Sequence, residues 1–433
     1  MVFNMRNLIL FLSPGGAPEN RILLALLIYA IGCPLFHLNT TIGNCVKLIG
    51  ILYFLCVLIS TPKRNNGWFQ RNIVFILLVL WILITTFRMF IAGEKDSFVK
   101  SGLSETIRTL FLGMEFIPCL MPLSLLLFRK DKIDVIYFLK ISHLLLVLFL
   151  CFSPFALYHM FHYEWSGLLY TAAGEEWGDE GTYGDFIVNS SWSLAALATP
   201  VVTIFLKSYL KYRTWFLYLI IVFIQFFMSI YMARRSGVIL WLFYLFICFF
   251  FYLVYSRMSK FYYVILGVVV CYGLFELYQV MDNYSFFELL VQRGINDTRS
   301  GVEASFYKDM DETGWVFGRS WFGTYYEPAW MKNRTSIETG FLSLILRGGI
   351  VYLILYLCVL LPSAIKGLCQ SKNVFVKAFS LMIFFHIIEL YPFGWPSFTI
   401  GYFSVWIGAY ICQSQYYRNL TDEKVKQLYF ITD

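Results

Sequence analysis

Six arginines carry the most legible chemistry of this sequence: Arg88, Arg108, the adjacent pair Arg234 and Arg235, Arg293 and Arg299. A guanidinium is planar and always charged, and its fork donates two parallel hydrogen bonds to a phosphate. Arg88 lies near the end of one apolar run and Arg108 near the start of the next. Arg234 and Arg235 form the turn between two further runs, and Arg293 and Arg299 fall in the longest polar interval. Counting runs from the N-terminus puts all six near one membrane face, opposite the clusters of Lys and Arg that set orientation. The grouping suits a binding site for an anionic, phosphate-bearing substrate. Snorkelling to lipid phosphates or local ion pairing is the alternative for any one of them.

Two further charges fall inside apolar runs, Glu115 and Arg347. Uniform helices put Glu115 about 15 Å and Arg347 about 13.5 Å inside their spans at 1.5 Å per residue, near the midplane. Unpaired charges there are expensive, so the two are expected to pair. Residues 158–185 hold Glu164, Glu175, Glu176, Asp179, Glu180 and Asp185 with no Lys or Arg. They lack the alternating spacing of an EF-hand, and a solvated acidic lid is the plainer reading. His159 and His162 belong to no HExxH pattern and read as interfacial. The ten cysteines lie in or beside apolar runs without a CxxC pair, so neither a metal nor a cofactor is expected.

The elements that must position these groups are membrane spans. Only 14% of residues are charged, against about 25% in soluble domains, and 59% are hydrophobic. A span needs about 20 apolar residues. Candidates are 21–38, 45–60, 72–91, 105–128, 135–157, 186–206, 214–232, 236–255, 261–281, 338–361, 374–391 and 396–413. The expected fold is therefore all-α, with about 12 transmembrane helices in a single domain over residues 1–433. A large outer loop, 282–337, separates helices 9 and 10. Lys63, Arg129, Lys207, Lys366 and Lys424 fall on the opposite side from that loop, which makes both termini cytoplasmic. The net charge of +7 then reflects membrane orientation and gives no reason to expect a nucleic-acid partner. The loop is rich in aromatics, including Trp315, Trp321, Tyr325, Tyr326 and Trp330, so it is expected to be ordered. Those rings suit either stacking on sugars or an interfacial belt.

Four stretches carry a family resemblance. DTRSGVEASFYKDM resembles the segment of O-antigen polymerases and O-antigen ligases that pairs an arginine with a following aromatic. WVFGRSWFGTYY is similar to that family's Leu-Phe-Gly-x-Gly stretch. ETGFLSLILRGGIVYLILYL is similar to its His-Asn-x-x-Leu stretch and glycine-rich return helix. YMARRSGVIL resembles its Ser-Arg-Gly element. The likeness covers roughly 130 residues of the C-terminal half. It implies a metal-independent glycosyltransferase of the bacterial inner membrane that uses undecaprenyl-diphosphate-linked sugars. By that resemblance Arg235 and Arg299 contact the diphosphate and Arg234 assists. Arg88, Arg108, Arg293, Trp321 and Tyr325 are the further substrate-binding candidates. The family histidine falls on Glu338, which either acts as the base or starts the helix through a Thr335-x-x-Glu338 capping box. The implied partners are a lipid-linked oligosaccharide, membrane lipids and a chain-length regulator protein. A ligase, or a transporter of lipid-linked sugars, is the alternative.

Overall fold

The computed structural model describes residues 17–61, 72–91, 103–113, 115–128, 133–162, 209–231, 241–242, 268, 272, 300–328, 331–335, 337, 339–391 and 396–429. Of these, 83% are helical. Span six, all but a few residues of spans eight and nine, residues 163–185 of the acidic segment and the first part of the large loop lie outside the described residues.

The chain opens with a helical hairpin, α1 (Pro18–Leu38) and α2 (Thr40–Ser60). Pro18 sits in the first turn, where its missing N–H is harmless. Asn39 makes the corner and caps α2 by accepting a hydrogen bond from Ile42 N at 3.0 Å. The hairpin closes tightly because Gly43 lies on the Phe36 backbone and Gly50 on Ala25. Helix α3 (Ile73–Ile91) follows. Ile73, Leu77, Leu80, Leu83, Phe87 and Ile91 of α3 are exposed although apolar, while Phe75, Leu78 and Ile82 are buried. A helix that is apolar all round suits lipid on one side and protein on the other. Among the described residues four helices are long and apolar enough to cross a membrane, α1, α2, α3 and α9.

The fourth expected span, 105–128, is not one helix. Helix α4 (Leu103–Leu112) and a 3-10 segment (Ile117–Leu127) meet at an angle of 54°. Pro118 and Pro122, four residues apart, explain the change. In an α-helix the Pro122 ring would collide with the carbonyl four residues back, and its absent N–H would leave that carbonyl open. Helices α5 (Val135–His162) and α6 (Tyr212–Tyr231) pack on each other, with the His143 ring against Tyr218.

The loop folds into α7 (Ser300–Asp309), α8 (Glu312–Phe317) and a hairpin of β1 (Tyr325–Glu327) with β2 (Lys332–Arg334). Then come α9 (Gly340–Gln370), α10 (Val374–Glu389) and α11 (Ile400–Gln413), which share a core of Tyr356, Phe379 and Trp406. Asn373 caps α10 through Val376 N, and Thr399 caps α11 through Tyr402 N. Two short helices, α12 (Gln415–Asn419) and α13 (Asp422–Tyr429), close the described chain.

Helix α9 begins at Gly340, with Thr339 as N-cap. The Thr335-x-x-Glu338 capping box therefore does not start it, and position 338 precedes the cap. The Thr339 hydroxyl bonds to Glu303 on α7 and makes no cap bond. The helix is also broken at Gly349, whose φ is 73° and ψ 177°. From Ile350 to Gln370 it rises about 31 Å, the full thickness of a hydrocarbon core. Arg347 thus sits at the loop end of a span-length segment, not at its middle.

Candidate functional site

The site grows from the loop's own small core. Phe306 is fully buried and meets Trp315 and Tyr325 edge-on, at centroid distances of 5.6 Å each. Met310, Ile337, Leu342, Ile345 and Leu346 complete that core, so the first turns of α9 belong to the loop domain. Arg319 ties the domain together. Its guanidinium pairs with Asp309, lies 3.6 Å from Asp311 and donates to the Thr324 carbonyl at 2.8 Å. Arg334 pairs with the buried Glu327 across the hairpin at 2.7 Å.

The loop docks on the break in α9. Arg319 N donates to the Leu346 carbonyl at 2.6 Å, and Trp81 Nε1 on α3 donates to the Gly348 carbonyl at 2.7 Å. Carbonyls freed where a helix ends need such partners. Gly318, with φ 69°, lies directly against the break, and a Cβ there would stand 2.5 Å from both Arg347 O and Gly349 N. A Cβ on Gly349 would stand 2.0 Å from Val316 O. Two positive-φ glycines therefore let loop and helix backbones touch. Trp321 is fully buried, donates to Thr86 Oγ1 at 3.0 Å and meets Tyr352 edge-on.

Arg347 stands beside this junction, with 1% of its surface exposed. Its Nη2 donates to the Thr335 carbonyl at 3.3 Å, and the Glu115 carboxylate lies within electrostatic reach. Glu115 occupies the corner between α4 and the 3-10 segment, its Oε2 folded against Gly113. Glu115 and Arg347 are thus near enough to act on each other at the loop end, but among the described residues no direct ion pair of the kind expected joins them.

The arginines expected at the substrate fare differently. Arg88 donates from Nη1 to the Phe317 carbonyl at 2.7 Å and from Nη2 to the Gly318 carbonyl at 2.9 Å. Its fork fastens the loop, which corrects its reading as a substrate contact. Arg108 is exposed in the last turn of α4, near Lys47. Trp321 and Tyr325, read as sugar platforms, are buried in the loop's packing and present no free ring face, a second correction. Arg234, Arg235, Arg293, Arg299 and Glu338 lie outside the described residues. Arg319, Trp81 and the Gly318–Gly349 contact escaped the sequence reading, although Gly-Arg in WVFGRSWFG and Gly-Gly in an apolar run were visible there.

Among the described residues no group of three His, Cys, Asp or Glu side chains is placed to hold a metal. Chemically, the arrangement offers a rigid, aromatic-cored cap over a helix break, with one buried cation and one carboxylate beside it. Comparison with protein-family models, curated proteins and solved structures gives no match, so the functional reading rests on the residues and their placement.

Proposed function

We propose that the chain is a polysaccharide polymerase of the O-antigen type in the bacterial inner membrane. It transfers a growing glycan from undecaprenyl diphosphate to a hydroxyl of a lipid-linked repeat unit. In this reading about twelve spans place both termini in the cytoplasm and the loop outside. The observation that carries it is the loop itself. A polar, aromatic-rich segment is folded and fastened to the membrane helices, as expected of a cap that excludes water from a reaction at the membrane surface. The resemblance of four stretches in matching order adds the substrate class. Arg235 and Arg299, with Arg234 and Arg293 near them in sequence, stabilise charge on the departing diphosphate, and Glu338 takes the acceptor proton. The lipid-linked oligosaccharide, bilayer lipids and a chain-length regulator are its partners.

The experiment is the length of polymer made in cells. Arg235→Ala and Arg299→Ala should each lower the rate about 10²–10³-fold at unchanged protein level. Lysine at either position should fail nearly as badly, because it lacks the bidentate fork. Glu338→Gln should abolish polymer if the residue is the base. Full-length polymer from both alanine variants contradicts the diphosphate site.

Topology is tested separately. Tyr307 is half exposed on α7. As Tyr307→Cys, in a background without the native cysteines, it should react with an impermeant thiol reagent from outside the cell. Lys424→Cys should react only after permeabilisation. Labelling of position 307 from the cytoplasm alone overturns the orientation.

A second reading, a transporter of lipid-linked sugars, gains from one observation. Both the 103–127 segment and α9 are broken, with Glu115 and Arg347 beside the breaks, and discontinuous helices often hold transported substrates.

A further inference from the structure

Below the loop, four elements bring titratable groups into one buried seam. Cys119 comes from the 3-10 segment, Tyr352 and Tyr356 from α9, His386 from α10, and Tyr402 and Trp406 from α11. Each is less than a tenth exposed. Tyr356 Oη and His386 Nε2 are 2.6 Å apart. The Trp406 ring lies against those of Tyr356 and Tyr402, at centroid distances of 5.4 and 6.2 Å. The Tyr402 hydroxyl is thus near the Tyr356 hydroxyl and the indole N–H without completing a hydrogen bond, and the Tyr352 hydroxyl is near Cys119 in the same way. Tyr352 Oη, Tyr402 Oη and Trp406 Nε1 thus converge, buried and unsatisfied. Folded proteins carry a few such atoms per hundred residues, and it is the grouping of three around one seam that matches the surroundings of bound water.

We propose that bound water fills this seam and joins its groups into a proton-transfer file between His386 and the Glu115 and Arg347 side chains at the loop end. The proposal goes beyond glycan transfer and does not depend on it. Hydroxyl, thiol, imidazole and water each take a proton on one side and give one on the other. A proton arriving at Tyr356 Oη releases that oxygen's own proton to His386 Nε2. The vacancy passes back through Tyr402 and Tyr352 to Cys119, whose thiol donates to the Glu115 main-chain carbonyl at 3.3 Å, and from there through bound water to the Glu115 carboxylate, which gives the proton. The file is blind at its far end, because the next turns of α9 and α10 carry Val359, Leu360, Ile383 and Phe379, all buried. The groups facing His386 are Tyr356 from α9 and Tyr402 from α11, with Glu389 one turn on along α10.

Radiolytic labelling of the full chain in lipid nanodiscs tests the water, since radicals formed from bound water mark the side chains beside it. Tyr352 and Tyr402 should label severalfold faster than Tyr417, which is as buried but has its hydroxyl bonded to Ile133 N and O at 2.8 and 3.4 Å. Equal rates overturn the proposal. Exchange of the His386 ring proton with solvent, read by 15N NMR with the other histidines replaced, tests the path. Tyr356→Phe should slow it severalfold, and Tyr410→Phe should not. An unchanged rate in Tyr356→Phe, in protein whose seam labels as wet, overturns the proton file.

Discussion

Gly349→Ala is expected to unseat the loop and lower stability by about 2–6 kcal/mol. Alanine at φ 73° and ψ 177°, a region essentially reserved for glycine, costs about 1–3 kcal/mol, and overpacking adds about 1–3 kcal/mol. The overpacking is unavoidable, since the new Cβ would lie 2.0 Å from Val316 O and 2.7 Å from Gly318 N. Backbone cannot swing aside as a lysine tip can. The loop must move instead, which strips Arg88 of its two carbonyls and the Leu346 carbonyl of Arg319 N. Gly301→Ala is the matched control. Nothing lies within 4 Å of its Cβ position, and it sits in the first turn of α7, so it should be neutral or stabilising by up to about 1 kcal/mol. Thermal unfolding in detergent, with protease sensitivity at 318–323, reads both. A native melting curve and an uncut loop in Gly349→Ala would mean that the docking is not what holds the cap.

Glu115→Gln is expected to be equally severe, at up to about 3–5 kcal/mol, because it leaves the Arg347 charge buried without its counter-charge. Arg347 is almost wholly buried, so its charge was placed there at a desolvation cost that its neighbours offset. Glu115 is partly exposed in the α4 corner, and water shares the task of solvating it. Arg347→Met, which keeps the volume and strands only this half-solvated carboxylate, should therefore cost less than Glu115→Gln. In a double-mutant cycle of Glu115→Gln with Arg347→Met, the coupling should fall at about 0.5–3 kcal/mol. Additive single effects would show that Arg347 answers to the Thr335 carbonyl and its other neighbours instead.

The parts of the fold that composition controls were legible. Apolar runs located α1, α2, α3 and α6 within a few residues, because a span needs a fixed apolar length whatever surrounds it. The breaks were less so. Gly348-Gly349 in an apolar run is silent about φ until Val316 and Gly318 press against it. Pro118 and Pro122 did signal the 3-10 segment, but the apolar run around them outweighed it. Residues 300–328 of the aromatic loop fold as expected. Which of its rings are core was not legible, since Trp321 and Tyr325 are buried by contacts with Tyr352 and Phe306, far away or across a turn. Arg88 shows the same limit. Its charge and position suggested an anion, yet backbone carbonyls satisfy the same fork.

Glycan transfer is tested most directly by incubating the purified protein in proteoliposomes with a lipid-linked repeat unit of its host and separating the products by size. The proposed polymerase yields a ladder of longer lipid-linked glycans and loses that ladder in Arg235→Ala and Arg299→Ala. Transfer to lipid A core alone, or movement of the lipid across the bilayer with no new glycosidic bond, contradicts it.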